Sequence, residues 1–324
     1  MATRFEAPAG ASALELVDLR QLGASDLRPL LEEEMRAWRE ALEWDFSKSY
    51  ELVERFVDLH ALNGHALLQG GEVVGYSYYV FEEQKGLIGD LYVRSAARTG
   101  EAERMLLEGV LDALVVARVR RIEAQLMMVE HVGRSLHVGA PFLTTFERNF
   151  MLFDLSAREL LPGRVRRRVF VERWADHYQE AAAGLIATAY AGHVDSRIND
   201  QYRTVTGARR FLFNIVQYPG CGAFFRPASV AAFDADSGRV AGICLASIVA
   251  PACGHITQVC VMPWARGCGV GYEMLRQTLA ALRLEGCGHA SLTVTASNSD
   301  AVALYERIGF RTVRRFSAYV WEGF

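Results

Sequence analysis

The apolar positions in the last quarter of the chain follow two different periods. Between residues 274 and 282 they recur at helical spacing on one face, at Met274, Leu275, Thr278, Leu279 and Leu282. Ala290–Ala296 instead alternates in the manner of a strand. Gly286 and Gly288 separate the two segments and end the helix. With the hydrophobic run that ends at Val261, the pattern predicts strand, helix, strand.

The same reasoning predicts the elements of the rest of the chain. Strands are expected at Leu14–Leu19, His65–Leu68, Val73–Phe81, Val169–Trp174, Ser229–Asp234, Val240–Ala250 and Phe316–Trp321. Helices are expected at Asp26–Leu42, Ser49–Leu62 and Asp176–Tyr190, and within Gln201–Val216. Both element types alternate along the whole chain, which predicts an α/β (α+β) fold.

A glycine-rich segment follows the strand that ends at Val261. Pro263 turns the chain, and Gly267, Gly269 and Gly271 lead directly into the predicted helix. Glycines leave backbone N–H groups open to a ligand, and the start of a helix adds unpaired donors and the positive end of its dipole. The segment therefore predicts a site for an anion such as a pyrophosphate.

Two common phosphate loops do not fit this segment. The nucleotide P-loop ends in Gly-Lys-Ser/Thr, whereas Tyr-Glu follows Gly271. The dinucleotide fingerprint G-x-G-x-x-G is met at Gly267 and Gly269, but its third glycine is Tyr272 and no suitable acidic residue follows on a second strand. The remaining pattern is Arg-x-x-Gly-x-Gly, which begins at Arg266.

Two motifs resemble those of the GNAT acetyltransferases, over roughly Val169 to Phe324. The segment that contains Arg266-x-x-Gly-x-Gly, preceded by Val-x-Pro, closely resembles motif A, which binds acetyl-CoA. After the next strand, a helix capped by Asn298 carries Asn-x-x-Ala-x-x-Leu-Tyr-Glu-x-x-Gly-Phe, ends near Phe310 and resembles motif B. The two motifs occur in the expected order and on the expected elements.

This resemblance implies a mixed, mainly antiparallel sheet flanked by helices, in which a central parallel strand pair splays apart. The main chain of Val259, Cys260 and Val261 would pair with the pantetheine arm and polarise the thioester carbonyl. Tyr305 would act as general acid toward the departing sulfur, and Asn298 would cap its helix or also contact the cofactor. The pyrophosphate would be held by Arg266, Gly267, Cys268, Gly269, Val270, Gly271 and Tyr272.

The general base is not evident from the sequence. Several GNAT relatives carry a glutamate on the strand before the glycine loop, whereas this strand offers Ile256, Thr257 and Gln258. Thr293 on the following strand is not a base either. The proton could leave through ordered water, or to a carboxylate or histidine from elsewhere, each more typical of a surface or capping position: Asp195, His193 or His255.

The first half of the chain is a second copy of this pattern. A shift of 168 residues aligns Gly86–Phe142 with Gly254–Phe310 without gaps. Val93, Arg98 and Phe142 fall on their counterparts, and the helix leucines also coincide. The period is too long for a solenoid, so we expect two tandem GNAT-like domains, at residues 1–160 and 161–324.

The first copy has lost the features of the loop. Thr99, Glu101 and Glu103 stand where the second copy has glycines, so side chains and two carboxylates occupy the predicted phosphate position. The other replaced positions are Glu130 for Asn298, His137 for Tyr305 and Pro141 for Gly309. We therefore expect residues 1–160 to be degenerate and structural, and residues 161–324 to bind acetyl-CoA.

Composition narrows the function classes further. The formal net charge of −3 gives no reason to expect a nucleic-acid partner, and no apolar run approaches a membrane span. The basic run Arg164–Arg168 is interpreted as a solvated linker. All six cysteines lie in the second half without Cys-x-x-Cys or zinc spacing, which indicates reduced thiols, a cytoplasmic protein and no metal. Cys260 and Cys268 are not needed as nucleophiles. Trp38, Trp44 and the Met127-Met128 pair are expected in packing.

The sequence thus predicts an acetyl-CoA-dependent N-acetyltransferase that moves an acetyl group directly to a primary amine. The acceptor could be a small molecule or a peptide amine, and a protein N-terminal or lysine acetyltransferase remains an alternative. A non-catalytic acyl-CoA-binding regulatory protein is the other alternative, because no base is evident. A monomer or a homodimer is compatible with the tandem repeat.

Overall fold

The computed structural model describes residues 13–129, 140–157, 160–218, 220 and 222–324. The chain forms two compact units, here called unit 1 and unit 2. Unit 1 comprises Met1–Ala37, Ser49–Thr145 and Tyr319–Phe324, and unit 2 comprises Trp38–Lys48 and Phe146–Ala318.

The first half of the chain contributes five strands and three α-helices to its described part before residue 130. They are β1 (Leu14–Asp18), α1 (Ala24–Leu42), α2 (Ser47–Asp58), β2 (Gly64–Gln69), β3 (Glu72–Glu82), β4 (Lys85–Val93), α3 (Gly100–Val116) and β5 (Arg121–Leu126). The strands follow the order β1-β2-β3-β4-β5 in the sheet of unit 1. All neighbours are antiparallel except the parallel pair β4 and β5.

The remaining elements begin just before residue 146. They are β6 (Leu143–Asp154), β7 (Val169–Arg173), α4 (Gln179–Ala189), α5 (Asp195–Ile198), α6 (Val205–Gln217), β8 (Ala223–Phe224), β9 (Val230–Asp234), β10 (Val240–Ala250), β11 (Cys253–Val261), α7 (Val270–Leu284), β12 (His289–Thr295), α8 (Ser299–Ile308) and β13 (Arg311–Glu322). The sheet of unit 2 has the order β6-β12-β11-β10-β9-β7, with β8 beside β10. Only β11 and β12 pair in parallel within this order.

The expected elements are present, and the α/β fold class is confirmed. The strand Val240–Ala250 has its expected bounds. The last strand was expected at Phe316–Trp321 but begins at Arg311. Residues 311–315 are exposed or half-exposed, so no apolar alternation marks them.

The helix periodicity of the second copy gives the core of unit 2. Met274, Leu275 and Leu282 are fully buried in the main apolar cluster of this unit, together with side chains of β11 and β12. The sequence pattern therefore identified the buried face of α7 correctly, and this packing fixes where the helix begins relative to the sheet.

The repeat is visible in the hydrogen-bond registers of the two units. In unit 1, Lys85–Ile88 pairs with residues 121–124, and in unit 2, Cys253–Ile256 pairs with residues 289–292. Both registers differ by the 168 residues found in the sequence. A bulge falls at Gly89 in one unit and at Thr257 in the other, again 168 residues apart. The copies therefore share even this irregularity.

The units do not divide at residues 160/161, where the sequence suggested a boundary. β6 comes from the first copy but pairs with β12 in unit 2, from Asn149 opposite Val294 to Asp154 opposite His289. The final residues of β13 belong to unit 1, where Arg121 forms an ion pair with Glu322. β6 and β13 are equivalent strands of the repeat, so each can complete the other sheet with the same side-chain pattern.

Candidate functional site

The central strand pair of unit 2 is paired over only part of its length. β11 and β12 are in register from Cys253 to Ile256, whereas β11 continues to Val261. On its other edge β11 stays paired with β10 up to Val261. The Met262 N–H donates to the Ala241 carbonyl, so alternation along the ladder turns the N–H groups of Val259 and Val261 away from β10. These donors face the gap left by β12.

Cys260 differs from its two neighbours in this respect. It lies opposite Ile243, in the position of the ladder that exchanges hydrogen bonds with β10. Its side chain is buried, and burial raises the pKa of the Cys260 thiol far above its ordinary value. Cys260 is therefore a neutral core thiol in this structure, which agrees with the expectation that it is not a nucleophile.

The glycine loop leads into α7 without a side-chain cap. Gly269 is the N-cap residue with a φ of 87°, in the left-handed region that favours glycine. The first backbone bond of the helix is from the Glu273 N–H to the Gly269 carbonyl, at 3.1 Å. Within the described ranges, the N–H groups from Gly267 to Tyr272 have no protein acceptor. They form a set of donors open to an anion.

The corresponding helix of unit 1 satisfies its own donors. α3 begins after Thr99, whose hydroxyl accepts the Ala102 N–H at 3.1 Å. Glu101 lies in the first turn, and Glu103 is buried there. The side chains thus cap the helix internally, whereas α7 leaves the same task to a ligand. Of the other replaced positions, Glu130 and His137 lie outside the described residues.

Arg266 and Asn298 both make local structural contacts. The Arg266 guanidinium donates to the Val261 carbonyl at 3.3 Å and to the Ala189 carbonyl at the end of α4 at 2.7 Å. Asn298 accepts the Ala301 N–H at 3.4 Å and caps α8, as expected. Arg266 therefore stabilises the strand end and the helix end that flank the loop, and only its main chain is available to a phosphate.

Tyr305 lies in the interior of unit 2. It is 7 % exposed and stands edge-on to Phe310, with ring centroids 5.9 Å apart. Burial, followed by the proximity of Cys244 and Asp195, raises the pKa of Tyr305 above its ordinary value. Its hydroxyl makes no hydrogen bond to the described part of the chain, so it is a protonated donor without a protein partner.

Charged and polar side chains gather around the end of β12, near Tyr305. The Thr295 hydroxyl donates to the Asp195 carboxylate. Arg148 lies 3.8 Å from the same carboxylate and donates to the Thr293 hydroxyl at 3.1 Å. The His193 imidazole is 3.7 Å from Asp195. Two of the candidate bases thus lie together at the end of β12, and neither is a simple surface residue.

Arg148 could not be assigned to this site from the sequence. It belongs to the first copy, and only the pairing of β6 in unit 2 brings it there. Its side chain is 11 % exposed, and its Nε is buried without an acceptor in the residues that the structure describes. No sequence signal marks it, because the repeat places it in the other domain.

A tyrosine and glutamine network fixes the end of β11. Gln258 donates to the Tyr190 hydroxyl at 2.8 Å and accepts from the Tyr202 hydroxyl at 3.2 Å. The two tyrosine rings are stacked with centroids 4.6 Å apart. Gln258 was rejected as a base from the sequence, and the structure gives it a different role. It connects β11 to the helical segment before α6.

His255 is a core residue, which corrects its interpretation as a surface or capping group. It is 4 % exposed, and its Nδ1 lies 2.9 Å from the Ser291 hydroxyl. Ser291 donates to the Gly254 carbonyl, so both Trp44 Nε1 and His255 Nδ1 must donate to Ser291. Burial and the nearby Arg148 lower the pKa of His255 to about 3. His255 is therefore a poor base at neutral pH.

This buried histidine predicts a pH-dependent stability. Between pH 6.5 and pH 3 the unfolded chain binds a proton at His255 that the folded chain excludes, so the folded state loses stability as the pH falls through this window. We expect the contribution to reach about 2 kcal/mol between pH 6.5 and pH 5. Urea unfolding of the protein and of His255→Gln at both pH values measures it. Equal losses in the two proteins would contradict the assignment.

The other cysteines also agree with reduced thiols. Cys244, Cys253 and Cys287 are buried and free, and Cys268 is half-buried. Burial raises the pKa of Cys244 and of Cys253 to about 12. Cys221 lies outside the described residues. Of the helices within the described ranges, none has the length and hydrophobicity to cross a membrane.

Residues 196–310 match the acetyltransferase (GNAT) family, and this segment lies wholly within unit 2. The chain belongs to the GNAT superfamily. The matched GNAT segment includes the splayed end of β11, the glycine loop, Asn298 and Tyr305.

Solved structures of similar fold extend over the whole GNAT chain. A GCN5-related N-acetyltransferase from Sphaerobacter thermophilus superimposes with a TM-score of 0.67 at 18% identity and covers 95% of both chains. A tandem GNAT protein from the clavulanic acid biosynthesis pathway gives a TM-score of 0.61 at 16% identity, over 96% of this chain and 98% of that one. At these identities the likeness shows the fold, which is that of a tandem GNAT protein.

Curated relatives match shorter segments of the chain. The N-alpha-acetyltransferase MAK3 of Arabidopsis thaliana is 33% identical over 70 residues, 22% of this chain and 37% of that protein. The mycothiol acetyltransferase of Corynebacterium jeikeium is 35% identical over 66 residues, 20% of this chain and 19% of that protein. The chain therefore covers less than half the length of either relative. Both names support an acetyltransferase.

Proposed function

We propose that this GNAT protein is an acetyl-CoA-dependent N-acetyltransferase with one active site, in unit 2, and a primary amine as acceptor. The observation that carries the proposal is the set of open main-chain donors. The N–H groups of Val259 and Val261 face the gap beside β12, and those from Gly267 to Tyr272 surround the uncapped start of α7. An extended pantetheine arm fits the first group of donors, and a pyrophosphate fits the second.

The glycine positions of the loop leave room for such a ligand. A Cβ at Gly267 would have no neighbour within 4 Å, and one at Gly271 would make only ordinary contacts with Val261 and Leu304. Acetyl-CoA would supply the acetyl group as an activated thioester. The free N–H groups of β11 would stabilise negative charge on its carbonyl oxygen.

Tyr305 is the proposed general acid. Its raised pKa keeps the phenol protonated throughout the physiological range. A phenol of ordinary pKa near 10 is a weaker acid than a thiol of pKa near 8.5, so protonation of a departing thiolate needs local help. The same burial that raises the pKa of Tyr305 would also raise that of a thiol beside it, which keeps the proton transfer feasible.

The acceptor amine would approach from the side where Asp195 and His193 lie. Amine attack requires loss of a proton, and these two groups are the titratable candidates that the structure retains after His255 is removed. Relatives named for N-alpha-acetyltransferase and for mycothiol acetyltransferase activity match segments of similar length. They therefore support both peptide and small-molecule amines as acceptor classes to test.

Unit 1 is proposed to have a structural role. Thr99 caps α3 with its own hydroxyl, and Glu101 and Glu103 place carboxylates in the first turn of that helix. A phosphate there would meet negative charge in place of open N–H groups. The unit nevertheless supplies the copy from which β6 and Arg148 originate.

Release of CoA from acetyl-CoA, measured with a panel of peptide and small-molecule amines, tests the proposal. We expect amine-dependent release by the full chain, and binding of one acetyl-CoA per chain by calorimetry. Binding without release by any amine would favour the acyl-CoA-binding regulatory protein. Absence of binding would contradict the site itself.

A further inference from the structure

The segment Leu160–Arg168, here called the strap, runs along the glycine loop of unit 2. The Arg166 N–H donates to the Cys268 carbonyl at 2.9 Å. The Tyr272 hydroxyl donates to the Leu161 carbonyl at 2.8 Å. The strap was expected to be a solvated linker, but its main chain is bonded to both ends of the loop.

Two glycines show how closely the strap and the loop approach. A Cβ at Gly269 would stand 2.6 Å from the Arg164 carbonyl oxygen. A Cβ at Gly163 would stand 2.5 Å from the Tyr272 ring. Val165 between them packs against the apolar core of unit 2. The main chain at Arg164 is therefore held directly beside the loop that carries the open N–H groups.

The later arginines of the strap are used within the protein. Arg167 donates to Asp234 at 2.9 Å, and its guanidinium lies 4.4 Å from the Trp264 ring centroid. The same ion pair, after the Ser237 hydrogen bond, lowers the pKa of Asp234 to about 2. Arg168 pairs with Asp236 at 3.1 Å. These two side chains fasten the strap to the β9–β10 turn.

Arg164 and Arg166 have no such partner. Both are exposed, and within the described ranges neither side chain makes an ion pair or a hydrogen bond. Their main chain is nevertheless fixed against the loop by the contacts at Cys268 and Gly269. Two guanidinium groups are thus held at the edge of the proposed pyrophosphate site, and the fold itself does not use their charge.

We propose that Arg164 and Arg166 bind the 3′-phosphate of coenzyme A. This inference rests on the proposed function and adds the residues that recognise this phosphate. The open N–H groups of the loop are neutral donors, enough for the two singly charged phosphates of a pyrophosphate. A phosphomonoester carries about −1.5 to −2 charges at pH 7 and has three acceptor oxygens. Arginine matches it with charge and with paired N–H groups.

Calorimetry with acetyl-CoA and with its 3′-dephospho analogue tests the proposal. We expect the full chain to bind acetyl-CoA about tenfold or more tightly than the analogue, as one lost charge-assisted contact implies. In the double variant Arg164→Ala/Arg166→Ala this preference should fall to about twofold or less, with affinity for the analogue unchanged. Added salt should reduce the preference of the unmodified protein, because the contact is exposed.

Arg168→Ala is the matched control, since it removes the same charge from the same run at a residue paired with Asp236. It should keep the full preference for acetyl-CoA. Equal binding of both ligands by the unmodified protein, or a preserved preference in the double variant, would overturn the role of the arginines and leave the proposed function standing. Failure of both ligands to bind would overturn the function as well.

Discussion

Gly271→Glu should abolish acetyl-CoA binding and leave the fold intact. Gly271 lies in the first turn of α7, and its Cβ position is 3.5 Å from Val261 and 3.9 Å from Leu304, so a side chain fits there. A glutamate is favourable at a helix N-terminus. Its charge at ~4 Å from a phosphate costs about 4 kcal/mol at an effective dielectric near 20, which corresponds to a loss of more than a hundredfold in affinity. Calorimetric titration measures this loss.

The control for this change is Gly271→Gln, which has the same size without the charge. It should retain measurable binding, and the melting temperatures of both variants should stay close to that of the original protein. Gly269→Glu also copies the first repeat, but it is less informative. Gly269 has a φ of 87° and lies against the Arg164 carbonyl, so a side chain there would strain the loop and the strap together. Unchanged affinity of Gly271→Glu would contradict the loop assignment.

Tyr305→Phe should lower turnover about a hundredfold or more and leave acetyl-CoA affinity within about twofold. The change removes only a hydroxyl that has no hydrogen-bond partner in the described part of the chain, so packing against Phe310 is kept. Positioned general acids contribute about 10²–10⁴ to the rate. Steady-state CoA release with the best amine of the panel, together with calorimetry, separates the two quantities.

The control for Tyr305 is Tyr178→Phe, which removes a hydroxyl bonded to Glu172 on an exposed part of unit 2. It should release CoA at the original rate. Turnover of Tyr305→Phe at the original rate would remove this residue as the acid, and a parallel loss of acetyl-CoA affinity would make it a binding residue instead.

Much of the site could be predicted because its parts are local. The glycines at 267, 269 and 271, the Asn298 cap and the helix that carries Tyr305 each lie within one continuous stretch of chain. Hydrophobic periodicity placed these stretches on a strand, a loop and two helices, and the buried face of α7 followed from the spacing of Met274, Leu275 and Leu282. Local sequence decides local conformation when helix caps, glycines and periodicity agree.

The failures of prediction arise where distant segments meet. His255 was interpreted as a surface or capping residue, but Trp44 and Ser291 enclose it in the core. Arg164 and Arg166 were assigned to a solvated linker, although their main chain is fixed to the loop. In each case the sequence gave the residue type correctly, and the contact that defines its environment comes from a segment far away in the chain.

The sequence by itself determined the duplication, the strand and helix order of both copies, and the contrast between the uncapped α7 and the internally capped α3. Only the tertiary structure decided that β6 completes the sheet of unit 2 and brings Arg148 beside Asp195. The physical reason is the repeat itself. β6 and β13 are equivalent strands with similar edges, so the alternation of their side chains fits either sheet, and only the packing of the whole chain selects one.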